Sequence, residues 1–134
     1  MQTNGNITIF NPFIIGHDTK YFGCKIWNVW AIYRARVDLD VNSEFNLSRL
    51  IVRVPVAQAV FSKRYVDPEK YDESDPDTNF TFIPGSIVAL GIVDEPTATK
   101  DWLIRNCTAM QITKVNYNRY GILKANWHWK LEGI

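Results

Sequence analysis

Histidine and cysteine are scarce in this chain, two of each in 134 residues, and that scarcity removes several chemistries at the outset. His17 and His128 lie far apart, and neither has a Cys, His or carboxylate at ligand spacing. The four side chains of a structural zinc site cannot be assembled from them. Cys24 and Cys107 form no CxxC or Cys/His pattern, so they read as small reduced core residues; a single disulfide is allowed but not signalled by their spacing. An excess of one charge is also missing. Fifteen Lys and Arg against fourteen Asp and Glu leave a formal charge of +1, too little for bulk attraction to nucleic acid or a membrane surface. No apolar run approaches the ~20 residues that cross a bilayer, and the opening MQTNGNITIF lacks the basic region and apolar stretch of a signal peptide. Cytoplasmic synthesis without a membrane partner is the expectation.

Familiar catalytic and phosphate-binding patterns are absent too. There is no G-x-S-x-G elbow, no G-x-G-x-x-G and no Walker motif, and PGSIVALG has glycines without phosphate-loop spacing. The stretch Asp75-Pro-Asp77-Thr-Asn79 copies the opening of a calcium loop. Phe80 then stands where the turn glycine belongs, and Ser86 where the bidentate Glu belongs. A flexible acidic loop is the better reading. No enzyme activity, metal or cofactor is expected, although a hydrolase with carboxylates or a thiolate grouped in space stays as a third reading.

What the chain does have is apolar and aromatic residues, 46% and 13% respectively, arranged mostly with a period of two. A length of 134 residues suits one domain, and such a chain buries enough surface for a core without metals or disulfides. ITIF, Ile7 to Phe10, is a short strand candidate punctuated by Asn11-Pro12. CKIWNVWAIYRARVDL is the longest strand-like run: Trp27, Val29, Ala31 and Tyr33 share one face, and Ile26, Asn28, Trp30, Ile32 and Arg34 the other. SRLIVRVPV alternates cleanly until Pro55, which belongs at a strand end or edge. FTFIPGSIVALGIVDEP reads as two strand pieces around Pro84-Gly85, the second apolar on both faces, with Gly91 marking a bulge or close approach. TATKDWLIRNC carries the one helix signal, with Thr97 or Thr99 as N-cap and Trp102 and Leu103 inward.

Between these lies RYVDPEKYDESDPDTN, with six carboxylates and two prolines. It sets a long acidic loop within residues 57–80. Loops of that length are uncommon unless they function. At the far end, QITKVNYNRYGILKANWHWKL reads as a hairpin turning at Asn118-Arg119-Tyr120-Gly121. Its second arm puts Leu123, Ala125, Trp127, Trp129 and Leu131 on a core face and His128 toward solvent or a partner. The fold class is therefore mainly β, a small single-domain barrel or sandwich (residues 1–134) with one short helix and a long acidic loop. A nucleic-acid-binding barrel is the alternative, using aromatics with cations from Arg34, Arg36, Lys63 and Arg64. Against it, the tryptophans sit on apolar faces without interleaved Lys or Arg.

Several motifs occur in an order that resembles a family of small minor capsid or head–tail connector proteins from tailed bacteriophages of Gram-positive bacteria. They are RLIVRVP, the acidic segment around Tyr71, FIPGSIVALGIVDE before a Thr-rich helix start, and ITKVNYNRYG followed by NWHWKLEG. The chain departs from that pattern in having Ser86 after Gly85, and the likeness spans residues 48 to 134. The resemblance implies a head-completion or neck subunit of the virion, a small β-barrel that self-associates into a ring beneath the portal and touches neighbouring neck or tail proteins. DNA passage is compatible with such a ring; specific DNA binding is not expected. No catalytic residues come with it. A ring needs one patch to fit a different patch on the next copy. The acidic residues Asp67, Asp72, Asp75 and Asp77 and the basic residues Arg34, Arg36, Lys63 and Arg64 are the candidates.

Overall fold

The structure is a computed structural model that describes residues 3–34, 49–119 and 127–134. Its first two strands form a long hairpin, β1 (Gly5–Ile15) and β2 (Asp18–Arg34), joined at Gly16 and His17. β1 does not stop at Asn11-Pro12 as the sequence suggests. Ile87 to Leu90, strand β7, pairs with β1 only from Ile7 to Phe10. From Asn11 onward β1 keeps one partner, and a proline with no N–H is tolerated on that edge.

β2 is bent by a bulge. Gly5 faces Val29 and Ile7 faces Ile26, so two steps along β1 match three along β2. Asn28 absorbs the extra residue at φ 65°, a left-handed conformation that Asn adopts more readily than most residues. The Asn6 side chain accepts the Asn28 N–H at 3.2 Å, and the Asn28 amide donates to the Gln58 carbonyl at 3.2 Å. Inward parity therefore switches: Phe22, Cys24 and Ile26 are buried before the bulge and Val29 after it. Strict alternation puts Ile26 and Val29 on opposite faces; the bulge gathers both into one core.

The bulge lets β2 serve two sheets. Its first part pairs with β1, and with the short strands β8 (Thr97–Ala98) and β4 (Val60–Phe61); past the bulge, Trp30 to Arg34 pair with β3 (Arg49–Pro55). β3 pairs with β10 (His128–Gly133), β10 with β9 (Ala109–Asn118), and β9 with β7. Since β7 returns to β1, six antiparallel strands close on themselves, in agreement with the expected mainly β class.

The interior holds Ile7, Ile9, Cys24, Ile26, Val29, Leu50, Val52, Val54, Val88, Ile112 and Leu131. β7 is apolar on both faces because Val88 points into this core, while Ile87 and Ala89 lie with Phe10 and Leu103 in a second cluster. The second cluster sits under helix α2 (Lys100–Asn106), whose N-cap Thr99 accepts the Trp102 N–H at 3.2 Å. β7 ends sooner than expected, at Leu90, where Gly91 turns away at φ 85°. A buried polar clasp fixes the neighbouring chain. The Asn11 amide donates to the Thr81 carbonyl (2.8 Å) and the Ser86 hydroxyl (2.9 Å), and its oxygen accepts the Thr81 N–H (3.0 Å).

The stretch 57–80, expected as one long loop, is partly built. It contains β4, β5 (Arg64–Tyr65), a one-turn helix α1 (Pro68–Tyr71) and β6 (Asn79–Phe80), with β5 and β6 parallel. The molecule thus has two helices among the described residues, not one. The reason is aromatic packing. Phe61 stacks on Phe80 (5.2 Å), Phe80 meets Phe82 edge-on (5.3 Å), and Phe82 and Tyr65 both reach Trp129 at 5.0 and 5.1 Å.

Trp129 also stacks on Tyr117 at 4.5 Å, so its ring ends an aromatic series against the core rather than forming an exposed platform. His128 shares the opposite strand face with Lys130 and Glu132, as expected, yet it is buried and its Nε2 lies 3.2 Å from the Asn118 amide. The solvent-facing role expected for it is corrected by that contact. The turn expected at Asn118-Arg119-Tyr120-Gly121 runs beyond the described residues, as do Leu123 and Ala125. Replacing Trp129 by Ala is expected to lower stability by about 3 kcal/mol, and His128→Ala by about 1–2 kcal/mol. Urea unfolding midpoints check both; an unshifted midpoint for Trp129→Ala would contradict this aromatic packing.

Candidate interaction surfaces

The acidic segment is fastened along its length. Asp67 stands before Pro68, whose fixed φ suits the first helical position. One turn later Tyr71 turns inward, edge-on to Phe13 at 5.7 Å, and Phe13 meets Phe22 in the same way at 5.9 Å. The Ser74 hydroxyl donates to the Tyr71 carbonyl at 2.7 Å. Asp75 closes the next turn: its carboxylate accepts the Asp77 N–H (3.0 Å) and its carbonyl accepts both the backbone N–H (2.9 Å) and the side-chain amide (3.0 Å) of Asn79. The calcium-like spacing is thus used as a turn. Among the described residues no group of three or more His, Cys, Asp or Glu is placed to hold an ion. Asp67, Glu69, Asp72, Glu73, Asp75 and Asp77 are all exposed.

Lys63 does not stand apart as a basic counterpart to this segment. Its ammonium donates to the Pro76 carbonyl at 2.7 Å and lies over the Phe22 ring at 5.9 Å. Burial lowers its pKa, while the charges of Cys24, Asp77 and Asp75 act in the opposite direction. Lys63 is therefore a tie within the segment, and the earlier grouping of it with Arg34, Arg36 and Arg64 is corrected. Arg64 is exposed in β5. Arg36 lies outside the described residues, and Arg34 is placed only by its backbone, opposite Arg49.

A cationic surface does form, on residues the sequence did not single out. On the outer face of the β2–β3–β10–β9 sheet, Trp30, Arg53, Lys130 and Asn116 lie in one row across four strands. The next row is Ile32, Ile51, Glu132 and Lys114, and Arg49 follows beside the backbone of Arg34. The Arg53 guanidinium covers the Trp30 ring at 4.6 Å. Glu132 sits between Lys130 (3.9 Å) and Lys114 (4.0 Å). Among the described residues, Arg49, Arg53, Lys114 and Lys130 thus surround a half-buried apolar centre with one carboxylate. The alternation Arg49-x-x-x-Arg53 is visible in the chain, but which strands stand side by side is not, so the patch cannot be assembled from sequence.

A family model spans residues 2–134, nearly the whole chain and so the barrel with both surfaces. The chain belongs to DUF6751, a family of unknown function. No curated protein and no solved structure matches it significantly. In this DUF6751 member no helix among the described residues is long and apolar enough to cross a membrane.

Apolar side chains are also exposed where the β1–β2 hairpin leaves the barrel, Ile14 at 73% and Ile15 at 48%. Beneath α2 a shallow groove of about 170 Å³ is lined by Ile87, Ile104, Ala109, Met110 and Ile134, with Lys100 at its side.

Two buried acids, Cys24 in the barrel core and Tyr71 in the acidic segment, bear on stability. Cys24 and Cys107 are unpaired thiols, Cys24 in the core and Cys107 half-buried. Burial raises the Cys24 pKa above its ordinary 9.0, with the Ser62 hydroxyl at 3.7 Å opposing the shift. Burial raises the Tyr71 phenol above its ordinary 10.0 more strongly, with Asp72 adding to the effect, and among the described residues its hydroxyl has no hydrogen-bond partner. Both acids hold their protons more tightly in the fold than in the unfolded chain. The resulting stability is present below the unfolded pKa and lost as pH rises through the interval up to the folded one. Stability should therefore decline from about pH 9–10 upward. Tyr71→Phe should flatten that decline and leave neutral-pH stability unchanged or slightly higher, because it removes an unpaired buried hydroxyl. Thermal unfolding from neutral to alkaline pH checks this; an identical decline in the variant would refute it.

Proposed function

We propose that this chain is a structural, non-enzymatic virion component of the phage head–tail joining region, a neck or head-completion subunit that acts by contacts with portal and with neighbouring subunits. The reading is supported by the ordered motifs of the second half. RLIVRVP is β3, SIVALG holds β7, ITKVNYN is most of β9 and HWKLEG is β10, so the resemblance runs through four of the six strands that close the barrel. The single observation that carries it is the fastened acidic segment, which presents six carboxylates on a backbone pinned by Tyr71, Lys63 and Asp75. A surface already ordered before binding loses less conformational entropy on docking than a floppy loop would.

Mass measurement on the purified protein, alone and mixed with the portal ring of the same phage, tests the proposal. Binding to portal is expected, with or without self-association in solution. A strict monomer in both experiments, with no portal complex, would overturn it. The cationic sheet face favours a second reading, a nucleic-acid-binding barrel. Phosphate contacts would make DNA affinity fall steeply with added salt, whereas the connector reading expects no specific DNA complex.

A further inference from the structure

We propose that the cationic outer face of β2–β3–β10–β9 receives the acidic segment Asp67–Asp77 of a second copy of this chain. The inference rests on the assembly reading and names the surfaces that would carry it. The face brings Arg49, Arg53, Lys114 and Lys130 around Trp30, Ile32 and Ile51, with Glu132 as its one carboxylate among the described residues. The segment is the reverse: six carboxylates with Lys70 as the one cation within it. The match extends to the exceptions, because a docked Lys70 can pair with Glu132 while Asp72 and Glu73 meet the arginines and lysines. Arginine in particular suits carboxylates through two parallel N–H donors.

The two surfaces are carried by different elements. The segment packs on Phe13 through Tyr71 and is flanked in the chain by the Tyr65–Phe80 pair, and among the described residues no ion pair joins it to the face. Each copy therefore offers one surface of each sign, a head-to-tail contact that propagates into a ring or a filament. A nucleic acid fits the face less well. Its aromatic, Trp30, is half-buried and already covered by Arg53, whereas bases stack on open rings. Glu132 would also oppose a phosphate backbone that brings no cation of its own.

The experiment is sedimentation of the full chain at low salt and the highest soluble concentration, using wild type, K114E/K130E and D72K/E73K, with circular dichroism to establish that each is folded. Wild type should self-associate and dissociate on adding salt. Each double variant alone should weaken association about a hundredfold, since like charges placed face to face are costly. Mixing the two variants should restore association, because the reversed face of one then meets the reversed segment of the other. A monomeric wild type under these conditions overturns this contact, while portal binding independently decides the assembly reading. Loss of association in K114E/K130E, with D72K/E73K unaffected and a DNA oligonucleotide bound only by proteins with the intact face, would assign the face to nucleic acid and also overturn the proposal.

Discussion

One backbone irregularity, the bulge at Asn28, governs this barrel. A strand of 17 residues cannot keep one face inward while its partner changes from β1 to β3. Adding one residue flips the alternation, increases local twist and turns the strand from one sheet into the other. Asn28 holds the left-handed angle because its amide N–H and side chain are satisfied by Asn6 and Gln58. Without that flip, either Ile26 or Val29, both fully buried, would face outward, and the six-strand closure would lose one side of its core.

Closure sets the terms for everything outside. β1 is held on β7 and β2, and Asn11 extends the hold to the Thr81–Ser86 stretch by three hydrogen bonds. That clasp brings Phe82 beside Trp129 with Phe80 edge-on to Phe82, and the aromatic series in turn seats Tyr65 at the start of the acidic segment. Buried polar groups of this kind have a geometric use: an apolar side chain at Asn11 could fill the space but could not fix the register of a segment with little ladder of its own. The acidic segment is therefore held by the core at Tyr71 as well as by its own turns at Ser74 and Asp75.

Much of this was legible in the alternation of single strands. RLIVRVP behaves as read, the apolar run from Ile87 is a strand that stops at Leu90 rather than continuing past Gly91, and Thr99, one of the two expected caps, begins the helix. Where the reading failed, a long-range contact had overridden a local signal. Asn11-Pro12 reads as a stop, but β2 pairs alongside and carries β1 through it. DPEKYDESDPD reads as loop because proline and carboxylates dominate it, yet Tyr71 against Phe13 is enough to order one helical turn. His128 has the parity of an outward residue and is buried all the same, beside Asn118 on the neighbouring strand. The cationic face was invisible for a related reason: Arg53, Lys130 and Lys114 come from three separate stretches, and only strand order and register make them neighbours.

The closed barrel also limits how such a molecule can associate. Open sheet edges invite pairing with another chain, and closure removes them. Here the six ring strands spend most of their hydrogen bonds on one another, β2 fills its remaining edge with β8 and β4, and β1 keeps a single strand partner from Asn11 onward. Contact with another copy must then rely chiefly on side chains displayed from faces and connections. Displayed charge is strongly hydrated and long-sided, and it gives orientation and rate more readily than affinity. A scaffold that keeps its carboxylates on a pinned segment and its cations on a rigid sheet reduces the ordering cost of bringing them together. That division, with apolar and aromatic groups holding the shape and charge left on the outside, is what connects the bulge in β2 to the surfaces on which the proposed contact would form.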